Sequence, residues 1–548
     1  MKTIMLSALC SLTLAPFALT TGCAPQEDSY EARRRALVDR PRRVMWDDDG
    51  CDMTHYPLSH TELLGEPLSV RSFERVMLAA TEGTQVDSIF YSGTMGFGYF
   101  TASKAGDWFT NELADVVHTP QRNKAVEYKE KFGVDAMDLA VAFAKRTRKE
   151  IFAWLRFNDN HDAAGTWNKP FVMLSPFKRA NPDCLVGMNP GKMPKCCGWA
   201  AADFAQEKVR AFCRKYVREY LENYDVDGIG YDFFRHPQLF ATVARGGRAT
   251  KAELGLMTKF MLELKAIAEE VGRKRGRPFV IAIRVPDSAE YCRAIGIDLE
   301  RWMQLKAFDF IVVGGYFQLR PWRESAELAH RYGMKCYASL DESRIDSAVR
   351  HGKLRGLRSI PGRGTKEFYA ARAAAAMEQG MDGIFYFNLG YKAYDFQRTV
   401  VNYDLDRPEG VDKLYYATFV GGGGYMPHRF FVGGEKMIDP SLNVNPTDPV
   451  ALDRGRSHRF VVPIGDDFAA ATRPAKVEVL VLTNLKDGAR PPRVRLNRQA
   501  LADPKSADGL WTFAADAKLF AKGDNEFVVT ATDKMTFNDF AVRVTWEK

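Results

Sequence analysis

From residue 43 to about residue 400 the apolar positions come in short unbroken runs rather than in alternation. The runs are "RVMWDDD" (43–49), "VDSIFYSG" (86–93), "EIFAWLRFND" (150–159), "VDGIGYDFF" (226–234), "FVIAIRVPDS" (279–288), "FDFIVVGGYF" (308–317), "KCYASLDE" (335–342) and "DGIFYFNL" (382–389). Continuous apolar character suits strands covered on both faces, as in a parallel sheet. Between the runs lie segments with helical spacing, at 124–148, 200–223, 250–272, 296–306, 322–332 and 366–380. The last is alanine-rich and stops at Gly380, a common helix terminator. Eight strand–helix units predict an α/β fold, a (β/α)8 barrel over residues 43–420. A doubly wound sheet is the fallback, but no glycine-rich phosphate turn follows the first strand.

Beyond residue 400 the period changes. "GGGGYMP" (421–427) opens a connecting segment that extends to 457. Residues 458–548 then carry "HRFVVPIG", "KVEVLVLTN", "RVRLNRQAL", "LWTFAAD", "NEFVVTATD" and "FAVRVTW", separated by turn residues. This spacing predicts an antiparallel β-sandwich. Two of its stretches, "VRLNRQAL" and "LFAKGDNEFVVTAT", resemble the jelly-roll modules appended to glycoside hydrolases, which implies a packing or glycan-contacting accessory domain.

The composition is that of a globular chain: 548 residues, 46% apolar and 27% charged, net charge +8. No block of Lys/Arg with interleaved aromatics occurs, so no nucleic-acid partner is expected. Residues 1–23 read as an export signal, with Lys2, an apolar core broken by Pro16, then small residues. Its end, "LTTGC", resembles a lipoprotein signal in which Cys23 would be lipidated; cleavage and release is the alternative. Both readings place the protein outside the cytoplasm: periplasmic, anchored to the outer membrane, or extracellular. Residues 24–42 would be a linker. No later run is long enough to span a bilayer, so membrane contact is expected only through a lipid on Cys23. In an oxidising compartment Cys184 could pair with Cys196 or Cys197 and staple "CLVGMNPGKMPKCC"; buried free thiols are the other reading. No histidine stands at ligand spacing near these cysteines, and neither a metal nor another cofactor is expected.

Catalytic groups of (β/α)8 barrels sit at the C-terminal strand ends, and here those ends are polar. Strand one ends in Asp47, Asp48 and Asp49. Strand three ends in Arg156, Asn158, Asp159 and His161, and strand four in Asp232, Arg235 and His236. Strand five supplies Arg284 and Asp287, strand six Tyr316 and Gln318, strand seven Asp341 and Glu342, strand eight Asn388 and Tyr391. Two carboxyl groups across a barrel mouth suffice for glycosidic cleavage, one donating a proton and one attacking or activating water. Asp232 and Glu342 are the expected catalytic pair. Trp46, Asp48, Asp49, Arg156, Asn158, Asp159, His161, Arg235, His236, Arg284, Asp287, Tyr316, Asp341 and Asn388 are the expected substrate contacts. Trp46, Trp154, Phe233, Tyr316 and Tyr386 could stack on sugar rings, or equally fill the core.

The stretches "DGIGYDFFRHP", "AWLRFNDNHD" and "AAAMEQGMDGIFYFN" resemble the exported bacterial barrel proteins of glycosyl-hydrolase-like family 10. The resemblance covers most of 43–400. It implies a (β/α)8 fold acting on polysaccharide, with Asp232 at the site. In the large retaining clan of barrel glycosidases a strand-four Glu and a strand-seven Glu do the work; Glu342 fits the second place, and an Asp stands in the first. The chitinase-type strand "DGxDxDxE" is matched less well, because Gly230 and Phe234 occupy two of its acidic positions. Arg156, Arg235, Arg284 and Arg320, with the positive net charge, favour a sulfated or uronic glycan. The competing readings are a non-catalytic glycan-binding surface lipoprotein and a metal-dependent hydrolase using Asp47, Asp48, Asp49 and His161.

Overall fold

The structure, a computed structural model, describes residues 29–50, 69–95, 97–99, 107–108, 124–171, 174–188, 193–341, 358–417, 426–442 and 444–547. The export signal, Cys23, Cys51, Glu342 and the glycines 421–424 lie outside the described residues.

The eight apolar runs form the eight strands β1 (Val44–Asp48), β2 (Ser88–Tyr91), β3 (Glu150–Arg156), β4 (Gly228–Asp232), β5 (Val280–Val285), β6 (Phe310–Val313), β7 (Lys335–Leu340) and β8 (Gly383–Tyr386). They close in chain order into a barrel, with β8 pairing back to β1 and every pair parallel. Strand alternation sorts each run into an inward and an outward set.

The inward set is layered. At the bottom, Arg42 Nε and Nη2 donate to the two Glu150 carboxylate oxygens at 2.7 Å each, and Ser88 Oγ donates to the same group at 2.7 Å. Helix α1 (Ser29–Asp39) covers this end through an Arg34–Asp309 ion pair of 2.5 Å; the stretch expected as a linker is thus partly helical. The middle is aromatic. Phe90 stacks on Phe152 with centroids 4.4 Å apart and meets Trp154, Phe310 and Phe385 edge-on. Strand β4 contributes glycines here for a steric reason: a Cβ on Gly228 would lie 2.2 Å from the Phe152 ring, and one on Gly230 would lie 2.2 Å from the Trp154 ring. The aromatic layer plugs the barrel and leaves the layer above it polar.

The second unit is a sandwich of β9 (Lys413–Tyr416), β10 (Val450–Leu452), β11 (Ser457–Ile464), β12 (Ala475–Thr483), β13 (Arg493–Leu496), β14 (Gln499–Leu501), β15 (Lys505–Ala507), β16 (Leu510–Ala515), β17 (Gly523–Thr530) and β18 (Met535–Trp546). One sheet runs β9-β18-β12-β16-β15 with β10 also on β18; the other runs β11-β17-β13-β14. The sandwich begins before residue 458, because β9 and β10 both pair with the long last strand. "RVRLNRQAL" is not one strand but the hairpin β13–β14, turning at Asn497 and Arg498.

Helix α2 (Lys366–Glu378) lies between the two units, buried against the barrel through Tyr369 and against the sandwich through Phe368, Ala371 and Ala375. Alanine suits a helix crowded on opposite sides. A fully buried Arg363–Asp539 pair, bonded at 2.5 and 2.8 Å, joins the units beside it. Cys184, Cys196 and Cys197 stand as free thiols, not as the expected bridge; Cys196 Sγ instead donates to Val243 and Ala244 carbonyls at 3.5 and 3.6 Å.

Candidate active site

The polar layer above the aromatic plug is built by the inward positions that end β1, β3, β4 and β5. In register, Asp232 stands beside Arg156 on one side and Arg284 on the other. Asp232 acts as a hub. Its Oδ1 accepts the backbone N–H groups of Phe234 and Arg235 at 2.8 Å each, and its Oδ2 accepts from Arg284 Nη1 at 3.0 Å. Arg284 is itself held by a 3.1 Å bond to the Gly314 carbonyl and by the Phe387 ring 3.7 Å beneath its guanidinium. Gly315, at φ +135°, leaves room for it: a Cβ there would lie 2.1 Å from Arg284 Nη2.

Asp47 shares this layer under opposite conditions. It is fully buried, and neither carboxyl oxygen has a hydrogen-bond partner. Burial pushes its pKa up to about 8, against the pull of Arg156 and with added repulsion from Asp49. At neutral pH Asp47 therefore holds its proton.

At the mouth's edge Asp159, His161, Arg235 and His236 form a chain. His161 Nδ1 donates to Asp159 Oδ1 at 2.5 Å, while its Nε2 accepts from Arg235 Nη2 at 2.7 Å. Burial lowers the pKa of both histidines, His236 to about 3, so both are neutral. Burial alone would raise Asp159, but His161, bonded to it through Nδ1, is the main group holding it well below the usual carboxylate range. Arg156 lies 3.6 Å from both Asp49 and Asp159 carboxylates, and Arg235 also donates to Tyr316 Oη.

Asp159, His161 and His236 each offer a ligand atom within 4.8 Å of the others. Two of those lone pairs are already used, since His236 Nδ1 accepts the Asn160 N–H at 3.2 Å and His161 Nε2 accepts from Arg235. A guanidinium already supplies the positive charge a metal would bring, and Asp159, His161 and Arg235 read as a hydrogen-bonded chain with His236 packed beside it.

Other candidates have plainer work. Asn158 pins two loops through Ala202 and the Gln238 carbonyl. Asp287 accepts the backbone N–H groups of Leu319 and Arg320, and burial pushes it to about 7. Asp48 turns outward in register with Tyr91 and accepts the Gly50 N–H at 3.0 Å. Asp341 and Asn388 are buried at the ends of β7 and β8. Trp46 and Tyr386 are register partners on the barrel's outer side, where Tyr386 meets Tyr369 of α2; Phe233 turns outward against Trp302. These three rings are core. Trp154 is also core, within the plug. Glu342, next after Asp341, lies outside the described residues.

Two contributors were not among the expected catalytic pair or substrate contacts. Asp47 was one of three consecutive aspartates, and only barrel closure shows which of them points inward. Phe430, from the short helix Pro427–Phe430 in the connecting segment, sits over the mouth with its ring 6.4 Å from His236 and 6.5 Å from Tyr316. Its helix is tied down by Tyr291 Oη donating to the Pro427 carbonyl at 2.9 Å.

No family model and no curated protein matches the chain. Among solved structures it is similar to the PgaB (BpsB) glycoside hydrolase domain from Bordetella bronchiseptica, with 12% identity over 66% of this chain and 99% of that one, at a TM-score of 0.41. It is similar to α-L-fucosidase isoenzyme 2 from Paenibacillus thiaminolyticus, with 12% identity over 66% of this chain, at a TM-score of 0.41; the match spans 48% of the fucosidase's length. A family GH18 chitinase from Chromobacterium violaceum aligns at 10% identity over 92% of this chain and 88% of its own, at a TM-score of 0.37.

Proposed function

We propose that the protein is an exported glycoside hydrolase that cleaves a polysaccharide with two carboxyl groups. One observation supports this above the others: Asp47 and Asp232 occupy the same buried layer in opposite surroundings, the first without a hydrogen-bond partner and the second with three. Burial pushes the Asp47 pKa up to about 8, so it keeps its proton, while Asp232 accepts hydrogen bonds from Arg284 Nη1 and from two backbone N–H groups. Environments that separate two acids in this way assign acid and base roles. Asp47 gives its proton to the glycosidic oxygen as the C–O bond breaks. Asp232 supplies the electron pair to the anomeric carbon, directly or through a water that it deprotonates. The resemblance of "DGIGYDFFRHP" to glycosyl-hydrolase-like family 10 points the same way.

Three of the four barrel arginines expected to favour a charged sugar already have carboxylate partners within the protein, so they lend it no support. Arg156 lies between Asp49 and Asp159, Arg284 holds Asp232, and Arg320 pairs with Glu324 and Asp439.

The test is reducing-end release from a panel of neutral, uronic and sulfated polysaccharides by wild type, Asp47→Asn, Asp232→Asn and Glu342→Gln. Loss of a general acid costs roughly 10²–10⁴-fold in rate, and Asp47→Asn and Asp232→Asn are expected to lose at least that much while staying folded. Full activity in Asp47→Asn with loss in Glu342→Gln would move the acid to strand seven. No new reducing ends from wild type on any polymer would leave a glycan-binding barrel instead.

A further inference from the structure

The outer face of the four-stranded sheet carries a concentration of arginines that the barrel chemistry does not use. Register places Val528 of β17 between Arg459 of β11 and Arg495 of β13, and Arg493 lies two residues from Arg495 on the same face. Arg498, in the β13–β14 turn, completes a recess of about 570 Å³ lined also by Asn497, Glu526 and Val528. The arginine stems cover Val528, which points outward yet is only 7% exposed.

Three features mark this face as a surface for anions. Arg459 has one carboxylate partner, Glu526 at 3.1 Å, whereas Arg493, Arg495 and Arg498 have none among the described residues. The other acid on this face, Asp524, is already paired with Arg323 of the barrel at 2.7 Å. The turn also keeps an arginine where glycine is the easy choice: Asn497 and Arg498 adopt φ of +47° and +73°. Asn497 is locked in place by bonds to Asn525, Leu519 and Glu526, so Arg498 is aimed by a rigid turn.

We propose that this face binds an acidic polysaccharide, reading its carboxylates or sulfates through Arg459, Arg493, Arg495 and Arg498. The choice of polymer rests on the polysaccharide reading of the barrel; the charge preference rests on this face alone. No aromatic side chain lines the recess, so it offers no stacking platform for bases or for neutral sugar rings. Arginine forks hold carboxylate and sulfate bidentately.

Affinity electrophoresis of the full chain through gels holding polygalacturonate, dextran sulfate or neutral dextran tests this without turnover. Retardation is expected in the two acidic gels only, weakening as salt rises. The two acidic gels separate carboxylate from sulfate. The double variant Arg459→Ala/Arg495→Ala is expected to lose roughly tenfold or more in affinity. Arg248→Ala/Arg293→Ala, the same charge loss at exposed positions on the barrel, is expected to bind as wild type. Arg498→Gly relieves the left-handed turn, so it is expected to bind more weakly with an unchanged or higher Tm. Equal loss in the two double variants, no retardation of wild type in either acidic gel, or tighter binding to duplex DNA or anionic vesicles would each overturn the proposal. Asp47→Asn carried through the same gels separates the two ideas: retention without hydrolysis keeps this surface whatever the barrel does.

Discussion

Asp47 and Asp232 differ in surroundings and not in chemistry. Both are aspartates at strand ends and both are buried. Asp232 receives three hydrogen bonds, one of them from a guanidinium, and Asp47 receives none. A group whose folded pKa is raised stabilises the fold while it is protonated, and that stability is lost as pH rises through the folded value. For Asp47 the loss runs from its ordinary value of 3.8 up to about 8. Asp47→Asn imitates the protonated form, so its Tm relative to wild type should rise between pH of about 6 and about 9.5. Parallel Tm shifts at both pH values would contradict a raised Asp47. The same proton predicts an alkaline limb near pH 8 in kcat/KM for glycan cleavage. A run of three aspartates shows that carboxylates reach this strand end, but which one loses its water depends on facing direction, and a five-residue strand buried on both faces hides that direction.

At the scale of the element, β4 shows why a strand can lack bulky residues and still be core. Gly228 and Gly230 alternate with Ile229 and Tyr231, and the inward side is filled by aromatic rings reaching across from β3. Gly230→Ala would place a methyl 2.2 Å from the Trp154 ring and cost about 1–3 kcal/mol or more by overpacking. Combining it with Trp154→Phe should recover part of that loss, measured as non-additivity in chemical denaturation; strict additivity would show that the two do not share the space. The positions of the eight strands were legible because β-rich apolar runs bounded by polar residues persist whatever the neighbours are. The β13–β14 turn was not, because Asn497–Arg498 lacks the glycine that usually signals a two-residue hairpin.

Over the whole molecule, α2 and the Arg363–Asp539 pair make the sandwich part of the barrel's support. Asp539 also accepts the Ile360 N–H at 2.8 Å, so it fixes the chain leading into α2. Asp539→Ala would leave the Arg363 guanidinium buried without its carboxylate and should cost about 3–5 kcal/mol. Denaturant unfolding of the full chain checks this, and a change under about 1 kcal/mol would mean that the pair is replaceable. The connecting segment is likewise more than a tether, since it delivers Phe430 to the mouth.

Local patterning alone determined the class and order of this fold. Eight apolar runs separated by helical spacing specify a parallel barrel, short runs between turns specify a sandwich, and polar residues at strand ends mark the face of the candidate site. These properties travel with each segment because period and turn chemistry act over a few residues. Tertiary structure decided the rest. Barrel closure turned Asp47 inward and Trp46 outward, strand pairing drew β9 and β10 into the sandwich, and the folding back of the connecting segment put Phe430 over the mouth. Each of these depends on groups far apart in the chain becoming neighbours, and on the water that their meeting removes.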